Sequence, residues 1–302
     1  MNHTLIVKLN ATGDVVRTTA LLRRLEGPVT WLSARANLPL LQGLRSDMRV
    51  LAWEDREQAA DTRYDLAISL EDEVETAEFV RRVQPHRTFG ALLADDGTVS
   101  YSADAGEWFD MSLVSRFGRQ RADEIKLANR RNYQQMIFAG LGWEFDGERY
   151  MLPRPTPTDL RGDVAIAPVA GPVWPMKNWA HYGALQRRLE AAGLRVNVLP
   201  KRATLLEHLG DIANHRCLVG GDSLPMHIAL GLEVPCVTIF NCTSPWEIHD
   251  YGLQTQLTSP LLGEFFYKRG LDPRATSAVG LDDVFDAVMA RLEQSAVVAR
   301  VP

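Results

Sequence analysis

Short apolar runs alternate with segments of helical periodicity along the first half of the chain. Strand-like runs occupy residues 5–9, 29–32, 49–53, 65–70 and 87–92. Apolar positions recur at helical spacing in residues 15–25, 34–44 and 73–83. Regular alternation of strand and helix predicts a parallel sheet with right-handed crossovers.

The second half repeats this rhythm after an interruption. Residues 111–117 and 123–141 show helical spacing with no strand between them, which predicts a helical insertion at about 110–141. Pro153, Pro155 and Pro157 are incompatible with a helix or a central strand, so we interpret residues 153–158 as an extended linker. Beyond it, predicted strands at 163–168, 195–199, 217–219 and 234–240 alternate with predicted helices at 179–192, 204–213, 226–232 and 282–292.

The whole pattern predicts an α/β protein with two Rossmann-like parallel-sheet domains, residues 1–155 and 156–302. In such folds ligands bind beyond the carboxyl ends of the strands, so we expect the functional site in the cleft between the two domains.

Composition and charge exclude several classes of protein. The chain has 302 residues, of which 46% are hydrophobic and 24% charged, as in an ordinary globular protein. A net charge of −5 argues against broad coating of nucleic acid. No apolar run is long enough to span a membrane, and the first residues resemble a core strand rather than a signal peptide. Three cysteines without a close pair are typical of buried thiols in a reducing cytoplasm.

Common catalytic motifs are absent from the sequence. It contains no P-loop, no dinucleotide-binding glycine pattern after a strand, no zinc-protease helix and no nucleophile elbow. The acidic pair Glu71-Asp72 lacks metal-ligand spacing, and we interpret it as part of a solvated loop. Candidate chemistry is therefore expected where polar residues follow predicted strands.

The first such place is the turn at residues 10–14, directly after the first strand. Gly13 allows a tight turn, and Asp14 is expected at or near the N-cap of the next helix. Two interpretations of Asp14 stay open. It is either a capping residue or a carboxylate that acts as a general base.

Two further places lie in the second half. Lys177 stands just before a predicted helix, where a cation and backbone N–H groups favour an anion; a solvated lysine is the alternative. In residues 220–229 a strand ends in two glycines, and Asp222 and Ser223 precede a helix whose N-terminus favours phosphate. His227 lies one turn further along. The alternative is that Asp222 and Ser223 only cap the helix and that His227 packs in the core.

Four segments resemble the sequence pattern of glycosyltransferase family 9, the ADP-heptose:lipopolysaccharide heptosyltransferases. The pattern (I/V)-K-x-x-x-x-G-D-(V/I)-(V/L)-x-T is matched by residues 7–18, and the K-x-W loop by residues 177–179. Residues 220–229 match G-x-D-(S/T)-G-x-M-H-x-A, with Leu224 in place of the second glycine. Residues 240–245 resemble the F-G-x-T-x-P strand end, with Asn241 and Cys242 where the family has Gly-Pro.

This resemblance implies a GT-B fold with an N-terminal acceptor-binding domain and a C-terminal domain that binds a nucleotide sugar. It implies inverting, metal-independent transfer of a heptose-type sugar from a nucleotide-diphosphate donor, such as ADP-heptose, to a hydroxyl of a glycan or lipopolysaccharide-type acceptor. The acceptor would be a saccharide or a lipid-linked saccharide. No cofactor and no nucleic-acid partner are expected.

The resemblance also assigns roles to individual residues. Asp14 would be the general base, and Lys177 would act beside it as a catalytic residue that binds the diphosphate. The donor-binding residues would be Gly13, Lys177, Asp222, Ser223, Leu224 and His227. A cytoplasmic enzyme is implied, with peripheral contact at the cytoplasmic face of the inner membrane as one possible arrangement.

The departures from the family pattern keep two alternatives open. In the first, the chain is a non-catalytic module that binds a nucleotide or a sugar. In the second, it is a transferase that acts on a small-molecule acceptor. No residue maps onto the glutamate that binds the nucleotide ribose in the family, and Glu207 is the substitute that we consider.

Two groups of residues are candidates for acceptor binding. Basic residues crowd the helical insertion at positions 116, 119, 121, 126, 130 and 131, although interrupting acidic residues favour a solvated helix face. Trp108, Phe109 and Trp143 could stack on sugar rings, but core packing is the more common role of such side chains.

Overall fold

The computed structural model describes residues 2–298, and side chains as far as residue 294. The chain divides between Pro153 and Arg154 into two compact units. The division falls at the start of the proline-rich segment that we interpret as a linker.

The N-terminal unit is built on a sheet with the strand order β3-β2-β1-β4-β5-β6. Its strands are β1 Thr4–Val7, β2 Val29–Ser33, β3 Met48–Ala52, β4 Leu66–Ser69, β5 Arg87–Leu93 and β6 Val99–Tyr101. Strands β1 to β5 pair in parallel, and β6 pairs antiparallel with β5. The helices are α1 Thr12–Thr18, α2 Leu38–Leu41, α3 Val74–Val83, α4 Gly106–Phe109, α5 Arg119–Ala128 and α6 Tyr133–Leu141. Short 3₁₀ helices span Thr19–Arg23, Arg35–Asn37, Trp53–Ala59 and Ala103–Ala105.

The C-terminal unit is built on a parallel sheet with the strand order β11-β10-β9-β7-β8. Its strands are β7 Gly162–Ala167, β8 Val196–Val198, β9 His215–Gly221, β10 Cys236–Phe240 and β11 Gln254–Thr258. Its helices are α7 Tyr182–Ala191, α8 Leu205–Ala213, α9 Leu224–Gly231, α10 Leu262–Phe265, α11 Pro273–Ser277 and α12 Leu281–Val298, with a 3₁₀ turn at Pro175–Lys177. The sheet is covered on one side by α7 and α12, whose apolar faces pack on β-branched residues of the strands.

Each sheet reverses its winding direction at one point, and this fixes where polar loops meet. In the N-terminal unit the reversal lies between β1 and β4, and in the C-terminal unit it lies between β7 and β9. Loops leave the carboxyl ends of these neighbouring strands in opposite directions, which opens a crevice suited to a ligand.

The two α/β sheets predicted from the sequence are confirmed, but several elements differ. The helix predicted at 111–117 is wrong: the segment forms turns, because the Ser112 and Ser115 hydroxyls bond the backbone carbonyls of Phe109 and Asp110. The helix predicted at 123–141 is two helices. Asn132 starts the second with a reciprocal capping box, which breaks the run.

Three other elements were shortened or missed. The helix predicted at 34–44 is reduced to a 3₁₀ turn and the four residues Leu38–Leu41. Strand β6 has only three residues, and β11 is largely polar, so neither shows a clear apolar run. Among the described residues, no helix combines the length and apolar character that a membrane span requires.

Candidate functional site

The reversal point of the C-terminal sheet brings together two of the predicted site residues. Lys177 ends the 3₁₀ turn after β7, and Asp222 directly follows β9. The Lys177 Nζ donates to the Asp222 backbone oxygen at 2.8 Å and to its Oδ2 at 3.0 Å. Both side chains are largely buried. The solvated-lysine interpretation of Lys177 is therefore wrong.

A glycine allows this close approach. A Cβ atom on Gly221 would lie 2.8 Å from the Lys177 carbonyl oxygen, which is closer than a real Cβ contact. Gly221 therefore lets the backbone of the Lys177 turn pack against the end of β9.

The Asp222 carboxylate is strongly stabilised in its charged form. Burial raises its pKa, but the nearby charges of Lys177 and His227 and the hydroxyl of Thr243 outweigh burial and lower the pKa of Asp222 to about 2. The carboxylate is therefore ionised at neutral pH and holds the Lys177 ammonium in place.

Helix α9 begins directly after this pair. Ser223 occupies its N-cap but its side chain caps no amide, since its Oγ donates to the Gly221 carbonyl at 3.3 Å. Pro225 in the first turn has no N–H group, so Ser223 and Leu224 are the amides best placed to donate at this end. Because the Ser223 side chain caps no amide, the interpretation of Ser223 as a side-chain cap is wrong. His227 is buried one turn into the helix.

The end of β10 supplies site residues that residue-by-residue reasoning did not single out. The Asn241 Nδ2 donates at 3.0 Å to the carbonyl of Met176, the neighbour of Lys177, and Asn241 is fully buried. Thr243 acts on Asp222 as described above. The family-like strand end at 240–245 was the signal that could have identified both residues.

Glu207 has a structural role in the C-terminal unit. Its Oε2 accepts from the Thr204 backbone N–H at 3.0 Å, while the Thr204 hydroxyl accepts from the Glu207 backbone N–H at 3.2 Å. This capping box starts α8. Ribose binding by Glu207 stays a prediction.

The three cysteines are free and buried, as their spacing predicts. Burial raises the pKa of Cys242 to about 11, so this thiol stays protonated. Within residues 2–298 no group of three or more His, Cys, Asp or Glu side chains is placed to hold a metal ion.

In the N-terminal unit, Asp14 lies in the first turn of α1 rather than at its cap. The N-cap is Ala11, which adopts a left-handed conformation with φ of 53° and caps with no side chain. Gly13 and Asp14 are already helical, so the interpretation of Asp14 as a capping residue is wrong. Its carboxylate is about one-third exposed and pairs with Arg17 at 2.9 Å.

Arg17 is held by aromatic rings. Its guanidinium lies 4.1 Å from the Tyr133 ring centroid and 5.2 Å from that of Trp108. The three aromatic residues considered for sugar stacking all pack within the protein. Trp108 contacts the Arg17 cation. Phe109 stacks on Tyr101, and Trp143 packs edge-on against the buried Phe138.

A buried ion pair lies under the same turn. Lys8 and Glu71 are 2.8 Å apart and each is almost fully buried. Burial by itself lowers the pKa of Lys8, but the charges of Asp14 and Glu71 raise it above its ordinary value. The interpretation of Glu71-Asp72 as a solvated loop is therefore wrong for Glu71.

The basic residues of the insertion mostly lie on a solvated, ion-paired surface. Arg116 pairs with Asp110, Arg119 with Asp123, Arg121 with Glu124 and Arg131 with Glu107. Surface pairs of this kind contribute little to stability and stay accessible to other anions.

Comparisons with known proteins agree with the predicted resemblance. The model of glycosyltransferase family 9 (heptosyltransferase) matches residues 169–261, which include Lys177, the 220–229 signature and the 240–245 strand end. No curated protein matches the sequence.

Solved structures share the fold over nearly their whole length. A family 9 glycosyl transferase from Veillonella parvula is 15% identical with a TM-score of 0.70, covering 97% of this chain and 98% of that one. E. coli heptosyltransferase WaaC with ADP-2-deoxy-2-fluoro heptose is 17% identical with a TM-score of 0.58, covering 97% and 99%. E. coli ADP-heptose lps heptosyltransferase II is 15% identical with a TM-score of 0.57, covering 98% and 100%.

These likenesses establish the GT-B class of fold, with two α/β units; the C-terminal sheet is parallel, and the N-terminal sheet is parallel except for its antiparallel edge strand β6. The sequence match adds the family signature at the crevice where Lys177 meets Asp222. The predicted resemblance is therefore confirmed for this part of the chain: residues 169–261 match the model of glycosyltransferase family 9 (heptosyltransferase), and the whole chain shares the fold of solved members of that family.

Proposed function

We propose that the protein transfers a sugar from a nucleoside-diphosphate donor to an acceptor hydroxyl, with inversion at the anomeric carbon and without a divalent metal. The observation that carries this proposal is the Lys177–Asp222 pair beside the N-terminus of α9, at the reversal point of the C-terminal sheet. Cationic and amide donors converge there, which is the chemistry that a diphosphate requires.

Lys177 has one donor left for the leaving group. An ammonium carries three N–H groups, and Asp222 accepts two of them. The third is available for a phosphate oxygen, and the pairing with Asp222 keeps the ammonium oriented. As the anomeric C–O bond breaks, negative charge grows on the diphosphate, and Lys177 opposes it where it develops.

The amides at the start of α9 add to this stabilisation. The helix N-terminus carries roughly half a positive charge, and the Ser223 and Leu224 N–H groups lie at that end. Lysine and helix dipole together supply the charge that a metal ion supplies in other transferases. Leu224 in place of a glycine is compatible with this role, because it is helical and donates through its backbone.

The donor that we propose is ADP-heptose. The family model describes heptosyltransferases, and one structural neighbour is an E. coli heptosyltransferase solved with an ADP-heptose analogue. The family match covers Lys177 and the residues around Asp222 that we propose to bind the donor. This match supports the same class of donor for this chain.

Asp14 is the proposed general base. Its partly exposed carboxylate would remove the proton of the acceptor hydroxyl, while that oxygen attacks the anomeric carbon opposite the leaving diphosphate. The Arg17 pair orients the carboxylate, and the rings around Arg17 hold the guanidinium.

We propose a glycan or lipopolysaccharide-type acceptor, because this class agrees best with the names of the structurally similar proteins. One of them is named as an ADP-heptose lps heptosyltransferase. The accessible arginines of the insertion would suit an anionic, lipid-linked saccharide.

The test is an assay of ADP release from ADP-heptose with a heptose-deficient lipopolysaccharide as acceptor. The wild-type protein should release ADP only when acceptor is present, and Asp14→Asn should slow the release by about 10²–10⁴-fold. Donor affinity should not change, because Asp14 is not one of the residues proposed to bind the donor. If Asp14→Asn releases ADP at the wild-type rate, Asp14 is not the base. The anomeric configuration of the product, read by NMR, tests inversion.

A further inference from the structure

One carboxylate oxygen anchors the turn that leads to Asp14. Glu71 lies two residues beyond β4, which is the neighbour of β1 in the sheet. Its Oε1 accepts from the Lys8 Nζ at 2.8 Å, from the Leu9 N–H at 2.7 Å and from the Asn10 N–H at 3.0 Å. The turn between β1 and α1 is therefore tied to a buried, negatively charged residue from a distant part of the chain.

The turn held in this way is also strained. Ala11 follows these three residues and adopts a left-handed backbone, a conformation that a residue with a Cβ atom rarely takes. The hydrogen bonds to Glu71 supply an anchor on one side of Ala11, and the start of α1 supplies one on the other, where the Ala11 carbonyl accepts from the Asp14 N–H at 2.7 Å. The position of Asp14 thus depends on the backbone that Glu71 holds.

Glu71 also sets the charge balance around Asp14. Arg17 on α1 pairs with the Asp14 carboxylate, and Lys8 after β1, Tyr133 on α6 and Tyr150 beyond α6 interact with it electrostatically. Two of these groups are cations, and each favours the charged carboxylate over the protonated form. Glu71 is the buried anion that offsets one of them, Lys8.

We propose that Glu71 is a positioning residue for the transfer reaction: it fixes the turn after β1 and neutralises Lys8, so that Asp14 keeps the proton affinity that a general base needs. This inference rests on the proposed role of Asp14. A carboxylate beside two uncompensated cations is a weaker base, and the rate of proton removal falls with basicity.

The variant Glu71→Gln removes the negative charge of this side chain and keeps its size and shape. A glutamine still offers an oxygen to the Leu9 and Asn10 amides, but it no longer neutralises Lys8. The titration midpoint of the Asp14 carboxylate, followed by NMR with ¹³C-labelled aspartate, should move to lower pH, because an unopposed cation stabilises the ionised form. In the ADP-release assay kcat should fall by about tenfold while KM for the donor stays constant.

Removing the cation should reverse both effects. The double variant Lys8→Met/Glu71→Gln should restore the Asp14 titration midpoint and most of kcat. Glu78→Gln is the matched control: it makes the same change of net charge at an exposed position of α3 and should leave both readouts unchanged.

The outcomes separate this inference from the proposed function. An Asp14 midpoint that is the same in wild type and Glu71→Gln overturns the inference, whatever the activity. A shifted midpoint in a protein that transfers no sugar supports the charge coupling and instead refutes Asp14 as the base. A fall in kcat that the second substitution at Lys8 does not reverse would show that Glu71 acts on the fold alone, and would also overturn the inference.

Discussion

Lys177 and Asp222 illustrate how a binding lysine is kept in place by its own counterion. The ammonium donates twice to Asp222, and the buried carboxylate keeps its charge because Lys177, His227 and Thr243 outweigh the cost of burial. An ion pair of this kind is costly to break from one side, since the remaining charge is left buried without a partner.

The depressed pKa of Asp222 makes the stability of the protein depend on pH. The folded pKa of about 2 is below the ordinary value of 3.8, so the stabilisation is complete above about pH 4 and is lost as the pH falls toward 2. Between pH 5 and pH 2 the wild-type protein should lose about 2 kcal/mol more unfolding free energy than Asp222→Asn does. Urea unfolding at a series of pH values measures this difference.

An exposed aspartate of the same unit is the control for that experiment. Asp286→Asn removes one carboxylate from the surface of α12 and should retain the acid sensitivity of the wild type. Equal acid sensitivity in Asp222→Asn and wild type would contradict the account of this ion pair.

The sequence predicts those site residues that stand in local motifs, and misses those that reach the site through the fold. Lys177 lies in the loop after β7 and Asp222 directly follows β9, and α/β sheets gather such strand ends, so the sequence pattern accounts for their proximity. Their role in binding stays a prediction. Glu71 is 63 residues from Lys8, and no local pattern marks it as its partner. Its acidic neighbour Asp72 made the pair resemble a solvated loop.

At the scale of elements, the glycines at the end of β9 are required for close packing. Gly220 would bring a Cβ to 3.2 Å from the Ala167 carbonyl oxygen of β7, and Gly221 to 2.8 Å from the Lys177 carbonyl oxygen. The strand end and the 3₁₀ turn therefore meet backbone to backbone, which leaves the Lys177 side chain to reach across to Asp222.

Gly221→Ala should displace the Lys177 turn. The added methyl group must push backbone away, because the nearest atom is a carbonyl oxygen and not a flexible side chain. We expect a loss of about 1–3 kcal/mol in unfolding free energy and weaker binding of ADP. Urea unfolding and calorimetric titration measure the two effects.

Gly263→Ala provides the comparison in the same unit. A Cβ at Gly263 meets no atom within 4 Å, and this residue lies in the short helix α10. It should leave ADP binding unchanged and stability equal or slightly higher. If Gly221→Ala behaves like Gly263→Ala, the close approach does not position Lys177.

Elements with strong apolar periodicity were predicted well, and those decided by tertiary or side-chain effects were not. Helices α3 and α8 and the buried strands follow the pattern closely, whereas α12 begins as predicted but continues beyond residue 292 to Val298. The break between α5 and α6 depends on the Asn132 capping box, and the turns after α4 depend on serine hydroxyls that compete with helical hydrogen bonds. These local bonds leave little trace in apolar spacing.

At the scale of the whole molecule, the two units have different strand orders but share a buried pair of a lysine and an acidic residue where the winding direction reverses. The N-terminal order β3-β2-β1-β4-β5 and the C-terminal order β11-β10-β9-β7-β8 each reverse once, and each reversal point carries a buried Lys–acid pair. In the N-terminal unit Lys8 and Glu71 support the turn of Asp14. In the C-terminal unit Lys177 and Asp222 form the proposed diphosphate site.

The central claim is that Lys177 binds the diphosphate of the donor, and calorimetric titration of ADP into wild type and Lys177→Met tests it most directly. The wild-type protein should bind ADP, and Lys177→Met should bind it about 10–100-fold more weakly, because one charge-assisted hydrogen bond to phosphate is lost. Lys201→Met, at an exposed lysine of the same unit, should bind like wild type. Equal affinity of wild type and Lys177→Met, or no binding of ADP by the wild type, would contradict the account.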